Sequence, residues 1–451
     1  MQRTIINALA QWKTSPHRKP LILQGARQVG KTWALKEFGR LYYDNVAYFS
    51  FDEQIELGQF FATTKNVERI IQNLTVVNRQ PISPEKTLIV FDEIQECNPA
   101  LNALKYFCEN APEYHVACAG SLLGTKLEGS FPVGKVDFLD MWPMTFSEFL
   151  LANGDESLVG CLPTIERIEH VPDAFLNPLF EKLKIYFLTG GMPEALSAWV
   201  EERDMSRVCE IQKNILSAYE RDFSKHAERK DRLRIQYLWN SIPSQLSREN
   251  KKFLYSAAKN GARAREYEDA LEWLVGAGLV YKVFRASKPG LPLSAYDDLS
   301  SFKLYSLDVG LLREQSGLTP SAFTDGNRLF TEFRGALTEN YVLQSLKPVL
   351  ETRPRYWSES HPRFEVDFII QYENIVLPVE VKSGAQTQSA SLNTYRDRFK
   401  QETPLRVRFS TRNLSMDGNV LNIPLPLADY AIPLIQIAMQ DLHQETTERL
   451  H

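Results

Sequence analysis

The chain has 451 residues, 43% hydrophobic and 24% charged, with 52 Lys and Arg against 56 Asp and Glu. This length predicts two or three domains with sizeable cores, and the composition excludes a disordered or low-complexity chain. No apolar stretch approaches the roughly 18 residues of a membrane-crossing helix, and the net charge of −4 selects neither for nor against a polyanionic partner.

The five cysteines (Cys97, Cys108, Cys118, Cys161, Cys209) form no C-x-x-C pair and suit a reducing, cytoplasmic setting better than a disulfide framework. The apolar run in Met1–Trp12 is too short for a signal peptide.

Leu21–Gln24 is a short apolar run that predicts a buried strand. It leads into Gly25, Ala26, Arg27, Gln28, Val29, Gly30, Lys31 and Thr32, which match the phosphate-cradling pattern G-x-x-x-x-G-K-[ST]. Trp33–Phe38 then predicts a helix, with Gly39 as its C-terminal stop. In that order, backbone N–H groups and the helix N-terminus face the phosphates of a bound nucleotide. Lys31 supplies a charge toward the β/γ-phosphates and Thr32 a hydroxyl toward Mg²⁺. The candidate nucleotide contacts run from Gly25 to Thr32 and on to Trp33.

Thr87–Phe91 is a continuous apolar run, as in a central parallel strand, and ends in Asp92-Glu93. We assign Asp92 to the Mg²⁺ shell and Glu93 to polarising the attacking water. A third apolar run, His115–Ala119, ends in Gly120-Ser121, which makes Ser121 a candidate γ-phosphate sensor.

These segments, together with Trp142–Phe149 and Leu188–Glu194, resemble the AAA-type ATPases of prokaryotes. The narrower resemblance is to those that carry a C-terminal domain of unknown function. It extends over nearly the whole chain and implies an ASCE-type P-loop core, with Glu93 as the catalytic glutamate. Where many such ATPases place an arginine finger this chain offers Lys126 and Lys135, so no finger is assigned.

From about Asn177 to Arg234 the pattern is helical and includes Tyr219–Phe223, which resembles a motif common in that family. Residues 234–307 are expected to form a winged helix. Arg265–Val275 is its amphipathic helix, ended by Gly276 and Gly278, and Leu279–Phe284 and Lys303–Ser306 are its wing strands. Residues 225–265 hold eleven Lys and Arg against three acids, a local +8 suited to a phosphate backbone. The helix itself carries Glu266, Glu268, Asp269 and Glu272, which would meet an anionic groove badly. The region therefore reads as an ATPase lid or protein-contact module, or else as a DNA contact through the basic segment, or as a solvated basic face.

Near the C-terminus, Phe364–Ile370 and Ile375–Lys382 predict two strands joined by a turn at Tyr372–Asn374. Alternation puts Glu380 and Lys382 on one face, with Asp367 on the paired strand close enough to join them. Two carboxylates and a lysine suit metal-dependent phosphodiester cleavage. Asp367 and Glu380 would hold Mg²⁺ or Mn²⁺, and Lys382 would orient water or stabilise charge. Pro378 inside the second strand predicts an edge or a bulge. His361 and Glu365 are expected to be exposed and not catalytic.

This pattern resembles the PD-(D/E)XK nuclease superfamily over roughly 330–415. The resemblance implies a further carboxylate from an earlier helix, matched here by Glu339. The seven histidines show no zinc-ligand spacing.

The expected architecture is α/β. It comprises a P-loop NTPase parallel sheet (1–176), a helical lid or linker (177–233), a winged-helix middle region (234–310), a restriction-endonuclease-like α/β domain (325–430) and a C-terminal helix (431–451). The expected ligands are ATP and Mg²⁺. DNA, a second copy of the chain or a partner protein are candidate partners, and a membrane is not. The competing expectation is a nucleotide-dependent protein-interaction switch whose nuclease-like domain only binds.

Overall fold

The computed structural model describes residues 2–121, 132–226, 229–248, 251–324, 331–359, 364–384 and 390–448. The chain forms two compact units, Met1–Trp142 with Trp273–Leu279, and Pro143–Glu272 with Val280–His451.

The first unit is built on a parallel sheet. Among the described residues it has five strands: β1 (Leu21–Gln24), β2 (Asn45–Ser50), β3 (Thr87–Asp92), β4 (His115–Gly120) and β5 (Asp137–Asp140), in the order β2-β3-β4-β1-β5. The central strands β3 and β4 are buried along their whole length, whereas the edge strand β5 alternates between exposed and half-buried residues. Their unbroken apolar runs follow from helices covering both faces of a parallel sheet. β4 lies between β1 and β3, so the tip of β4 is flanked by the tips of the strands that carry the glycine loop and the acidic pair.

The helix after β1 spans Lys31–Tyr42, and Gly39 lies inside it rather than ending it. Packing is the reason: a Cβ at Gly39 would lie 2.3 Å from Val46 Cγ2, so glycine lets the helix press onto β2.

The second unit combines helices with a mixed sheet. The boundary expected at residue 176 falls inside the helix Asp173–Thr189. Tyr219 and Phe223, on the helix Met205–His226, pack edge-on against Trp239 of the helix Arg229–Leu246 at centroid distances of 6.3 and 6.0 Å. These two residues of the resembling motif are therefore core residues.

The strands are β6 (Val280–Ala286), β7 (Asp297–Ser306), β8 (Arg355–Ser358), β9 (Glu365–Tyr372), β10 (Ile375–Val381), β11 (Arg406–Ser410), β12 (Ser415–Asp417) and β13 (Val420–Pro424). Their order is β12-β13-β11-β10-β9-β8-β6-β7. The expected wing strands are thus a longer antiparallel hairpin, β6–β7, joined to β8 through the parallel pair Arg285↔Tyr356. This pairing covers the edge of β6 and merges hairpin and C-terminal strands into one sheet.

β9 and β10 form a hairpin with a two-residue turn, in which Glu373 takes a left-handed φ of 48°. Pro378 lies one residue before the pairing of β10 with β11 begins, where β10 has a single neighbouring strand.

Candidate functional site

The N-terminal site lies at the tips of β1, β3 and β4. Gly30, at φ 94°, caps the helix that begins at Lys31, and Gly25 turns so tightly that a Cβ there would lie 2.2 Å from the Met141 carbonyl oxygen. Lys31 is buried and donates to the carbonyls of Gly25 and Ala26 at 2.9 and 2.8 Å. Burial lowers its pKa to about 8, against the opposing pull of the Glu93 and Asp92 carboxylates.

The Thr32 hydroxyl donates to Asp92 Oδ2 at 2.8 Å. The Tyr48 hydroxyl donates to the same oxygen at 2.7 Å, and the Glu93 N–H donates to Asp92 Oδ1 at 3.1 Å. A hydroxyl and a fixed carboxylate, side by side at the start of the loop helix, are the donor set a Mg²⁺–triphosphate needs. The residues therefore fit that ion.

Glu93 adopts a left-handed φ of 50°, unusual for a residue with a side chain. Its Oε2 accepts from Ser121 Oγ at 3.0 Å and from Gln95, and Arg27 Nε donates to Ser121 Oγ at 3.4 Å. Ser121, at the tip of the inserted strand, thus bridges the glycine loop and the acidic pair. Ala26 and Val29 are buried under the loop, Gln28 takes a φ of 65°, and Trp33 is 41% exposed. Lys135 pairs with Glu109 at 3.0 Å, and Lys126 lies outside the described residues.

The second constellation lies in the C-terminal sheet. The pairs Arg355↔Ile369 and Trp357↔Val366 leave one extra residue on β9, a bulge that contains Asp367. Bulges re-aim the side chains they carry. Asp367 Oδ2 accepts the Val381 N–H at 2.8 Å, and burial raises its carboxyl pKa, with the Glu339 charge adding to the rise. Lys382 Nζ meets Glu380 Oε1 at 2.5 Å. Glu380 itself is 3% exposed, and its Oε2 has no hydrogen-bond partner among the described residues.

Two further lysines enter this cluster. Lys251 pairs with Glu339, on the helix Thr331–Leu346, and Tyr305 donates to the other oxygen of that carboxylate at 3.3 Å. Burial pushes Glu339 up, but Lys251 and Lys303 outweigh it and hold the carboxyl below its usual range. Lys303 is completely buried and pairs with Glu365 at 2.5 Å. Its desolvation is outweighed by Glu365, Glu339 and Asp367, which hold the ammonium charged.

Glu365 is therefore a half-buried partner of Lys303, not an exposed residue; His361 lies outside the described residues. Among the described residues no three His, Cys, Asp or Glu side chains stand ready to hold a metal. In this cluster Glu339 and Glu380 each pair with an ammonium group.

Residues 17–150 match the family model described as "AAA domain". Residues 180–322 and 334–428 match two models described as domains of unknown function, DUF8612 and DUF4143. No curated protein matches the chain.

Among solved structures, the Walker-type ATPase PABY2304 of Pyrococcus abyssi is 13% identical with a TM-score of 0.44, over 70% of this chain and 95% of that one. The Aeropyrum pernix ORC1 protein in complex with DNA is 14% identical with a TM-score of 0.30, over 71% and 92%. Thermotoga maritima RuvB is 15% identical with a TM-score of 0.31, over 64% and 90%. At such scores these likenesses carry nothing further. The family match over residues 17–150, the sheet order and the loop together give the first unit a P-loop NTPase fold that is similar to AAA domains.

In the AAA domain the sequence missed Tyr48 and Gln95, which hold Asp92 and Glu93. In the C-terminal cluster it missed Lys251 and Lys303, which lie 88 and 62 residues from their partners. The one local hint was a lysine within the apolar run Phe302–Tyr305.

Proposed function

We propose that the AAA domain binds Mg²⁺·ATP and hydrolyses it. The observation that carries this reading is the Thr32–Asp92 hydrogen bond at 2.8 Å, with Glu93 held beside it by Ser121. The loop amides and Lys31 bind the β/γ-phosphates, Thr32 and Asp92 hold the ion, and Glu93 orients and deprotonates the attacking water. The magnesium ion supplies charge neutralisation on the phosphate oxygens. Ser121 reports the γ-phosphate by exchanging its bond to Glu93 for one to the nucleotide.

The task we assign to ATP turnover is action on nucleic acid, with Asp367, Glu380 and Lys382 as a nuclease-like site that takes Mg²⁺ or Mn²⁺. Its support is that these three residues and Glu339 fall into one cluster. The second reading, a nucleotide-dependent protein-interaction switch with a non-catalytic module, is favoured by the placement of Lys251 and Lys303 among the carboxylates.

The test is turnover by wild type, Lys31→Ala, Glu93→Gln and Lys382→Ala. We expect Lys31→Ala to lose nucleotide binding. Glu93→Gln should keep binding and lose about 10²-fold or more in kcat, since it removes a group that acts in the transition state. Divalent-dependent cleavage of DNA or RNA that disappears in Lys382→Ala supports the nuclease-like site. Intact ATP hydrolysis with no cleavage of any form supports the switch. A wild-type protein with no affinity for Mg²⁺·ATP overturns the whole reading.

A further inference from the structure

We propose that Arg27 is a catalytic residue of the N-terminal site. Its guanidinium meets the γ-phosphoryl group of the nucleotide held by its own chain, and supplies in cis the charge that an arginine finger would otherwise bring from a neighbour. This rests on the reading of the site as one that hydrolyses ATP, and adds a residue to it.

Register sets the geometry. β1 and β4 run parallel with Gln24 opposite Gly120, so the glycine loop leaves the sheet beside Ser121. Within the loop Ala26 and Val29 are buried, whereas Arg27 is half-buried and Gln28 is exposed. Arg27 Nε donates to Ser121 Oγ at 3.4 Å, and Ser121 Oγ donates to Glu93 Oε2 at 3.0 Å. One hydroxyl therefore links the guanidinium to the carboxylate assigned to the attacking water.

The guanidinium also acts on the loop lysine. Burial is the main reason that Lys31 titrates at about 8, and the Arg27 charge adds to the lowering. Two cations kept in reach of each other on one loop repel unless an anion meets both. Asp92 and Glu93 oppose part of this repulsion at Lys31, and a triphosphate seated on the loop amides would oppose the rest. Of the two lysines near the place where a finger is expected, Lys135 is already paired with Glu109 at 3.0 Å.

In the reaction, the water oxygen bonds to the γ-phosphorus as its proton passes to Glu93. The bond from that phosphorus to the β–γ bridging oxygen breaks, ADP and inorganic phosphate leave, and Glu93 returns the proton to solvent. Negative charge is carried by the bridging and γ-oxygens as the bond breaks. When Ser121 turns to the nucleotide, Arg27 turns with it and donates N–H groups to those oxygens. Its planar fork can meet two of them at once. A contact that strengthens as charge develops raises kcat more than affinity.

The experiment uses the full chain with Mg²⁺ and compares wild type, Arg27→Ala and Arg27→Lys. It measures kcat and KM for ATP, affinity for a slowly hydrolysed ATP analogue, and affinity for ADP with aluminium fluoride, which mimics the phosphoryl group in transfer. We expect Arg27→Ala to lose about 10³-fold or more in kcat, the contribution of an arginine finger. It should keep its affinity for the analogue and lose tight binding of ADP–aluminium fluoride. Arg27→Lys, a point charge without the fork, should fall between the two and answers the question if Arg27→Ala does not fold. An unchanged kcat overturns the proposal. So does a loss of analogue affinity that accounts for the whole loss in kcat/KM, since that is uniform binding.

Mixing Arg27→Ala with Lys31→Ala separates cis from trans. One chain keeps a nucleotide site and the other keeps Arg27, so no recovery is expected, and recovered turnover overturns the action in cis. A wild type that hydrolyses no ATP defeats the hydrolase reading along with the proposal. Hydrolysis that is equal in wild type and Arg27→Ala defeats the role of Arg27 alone.

Discussion

At the scale of single residues, the most informative group is Lys31. Its ammonium is desolvated in the folded chain and has a pKa of about 8, against 10.5 for a solvated lysine. Two pH trends of opposite meaning follow. Between about 8 and 10.5 the unfolded chain binds more protons at this group than the folded one. Folding stability contributed by Lys31 therefore rises with pH across that window. Binding of a triphosphate, in contrast, needs the charged form. Nucleotide affinity should be flat up to pH 8 and weaken above it, approaching about tenfold per pH unit when a single proton is linked. Titrations from pH 7 to 9.5 check this. An affinity that stays constant to pH 9.5 in wild type would remove Lys31 from the phosphate site.

At the scale of elements, glycine positions separate what sequence shows from what packing decides. The motif Leu188–Glu194 contains Gly190 and Gly191 at the end of the helix Asp173–Thr189. Gly191 N–H donates to the buried Asp308 carboxylate at 2.6 Å, and Gly191 O accepts from Met144 N at 2.7 Å. Asp308 also accepts the Leu311 N–H and a Gln344 amide, so this crossing ties three parts of the second unit together. A Cβ on Gly191 would lie 2.1 Å from the Met144 carbonyl oxygen, and backbone cannot give way as a flexible side chain does. Gly191→Ala should therefore cost about 3 kcal/mol of stability, the upper part of the range for overpacking. By comparison, Gly160→Ala, with nothing within 4 Å of its Cβ, should be neutral or slightly stabilising. Urea unfolding of the two variants measures the difference, and equal midpoints would mean the crossing relaxes.

The same contrast explains how far the elements could be read. The strand–loop–helix of the P-loop and the strand ending in Asp92 were legible because their signals are local: an apolar run, a fixed spacing and a helix start. Gly39 was misjudged as a stop because its role depends on Val46, which reaches it only through the fold. The hairpin β6–β7 was legible as two strands, but its union with β8 was not, since parallel pairing leaves no mark on spacing. Glu365 read as exposed because its partner, Lys303, lies 62 residues earlier.

At the scale of the molecule, the two units interleave along the chain, since Trp273–Leu279 belongs with the first 142 residues. Linear boundaries drawn from composition cannot express that. Each unit nevertheless has a core of its own: Phe49, Phe91 and Phe107 lie in one cluster, and Trp357, Val366 and Tyr395 in another. Separate cores predict separable unfolding, with two transitions in a calorimetric scan. A ligand that binds only one unit should then move only one of them. At a hundred times its Kd, a slowly hydrolysed Mg²⁺·ATP analogue stabilises its binding state by about 2.7 kcal/mol. The AAA-domain transition should climb by several degrees, while the transition of the C-terminal sheet stays within error. Lys31→Ala should abolish the shift and leave both basal transitions close to wild type, because its ammonium meets loop carbonyls rather than core. A single transition that moves as a whole would mean that the two cores unfold as one, and that nucleotide binding is felt energetically throughout the chain.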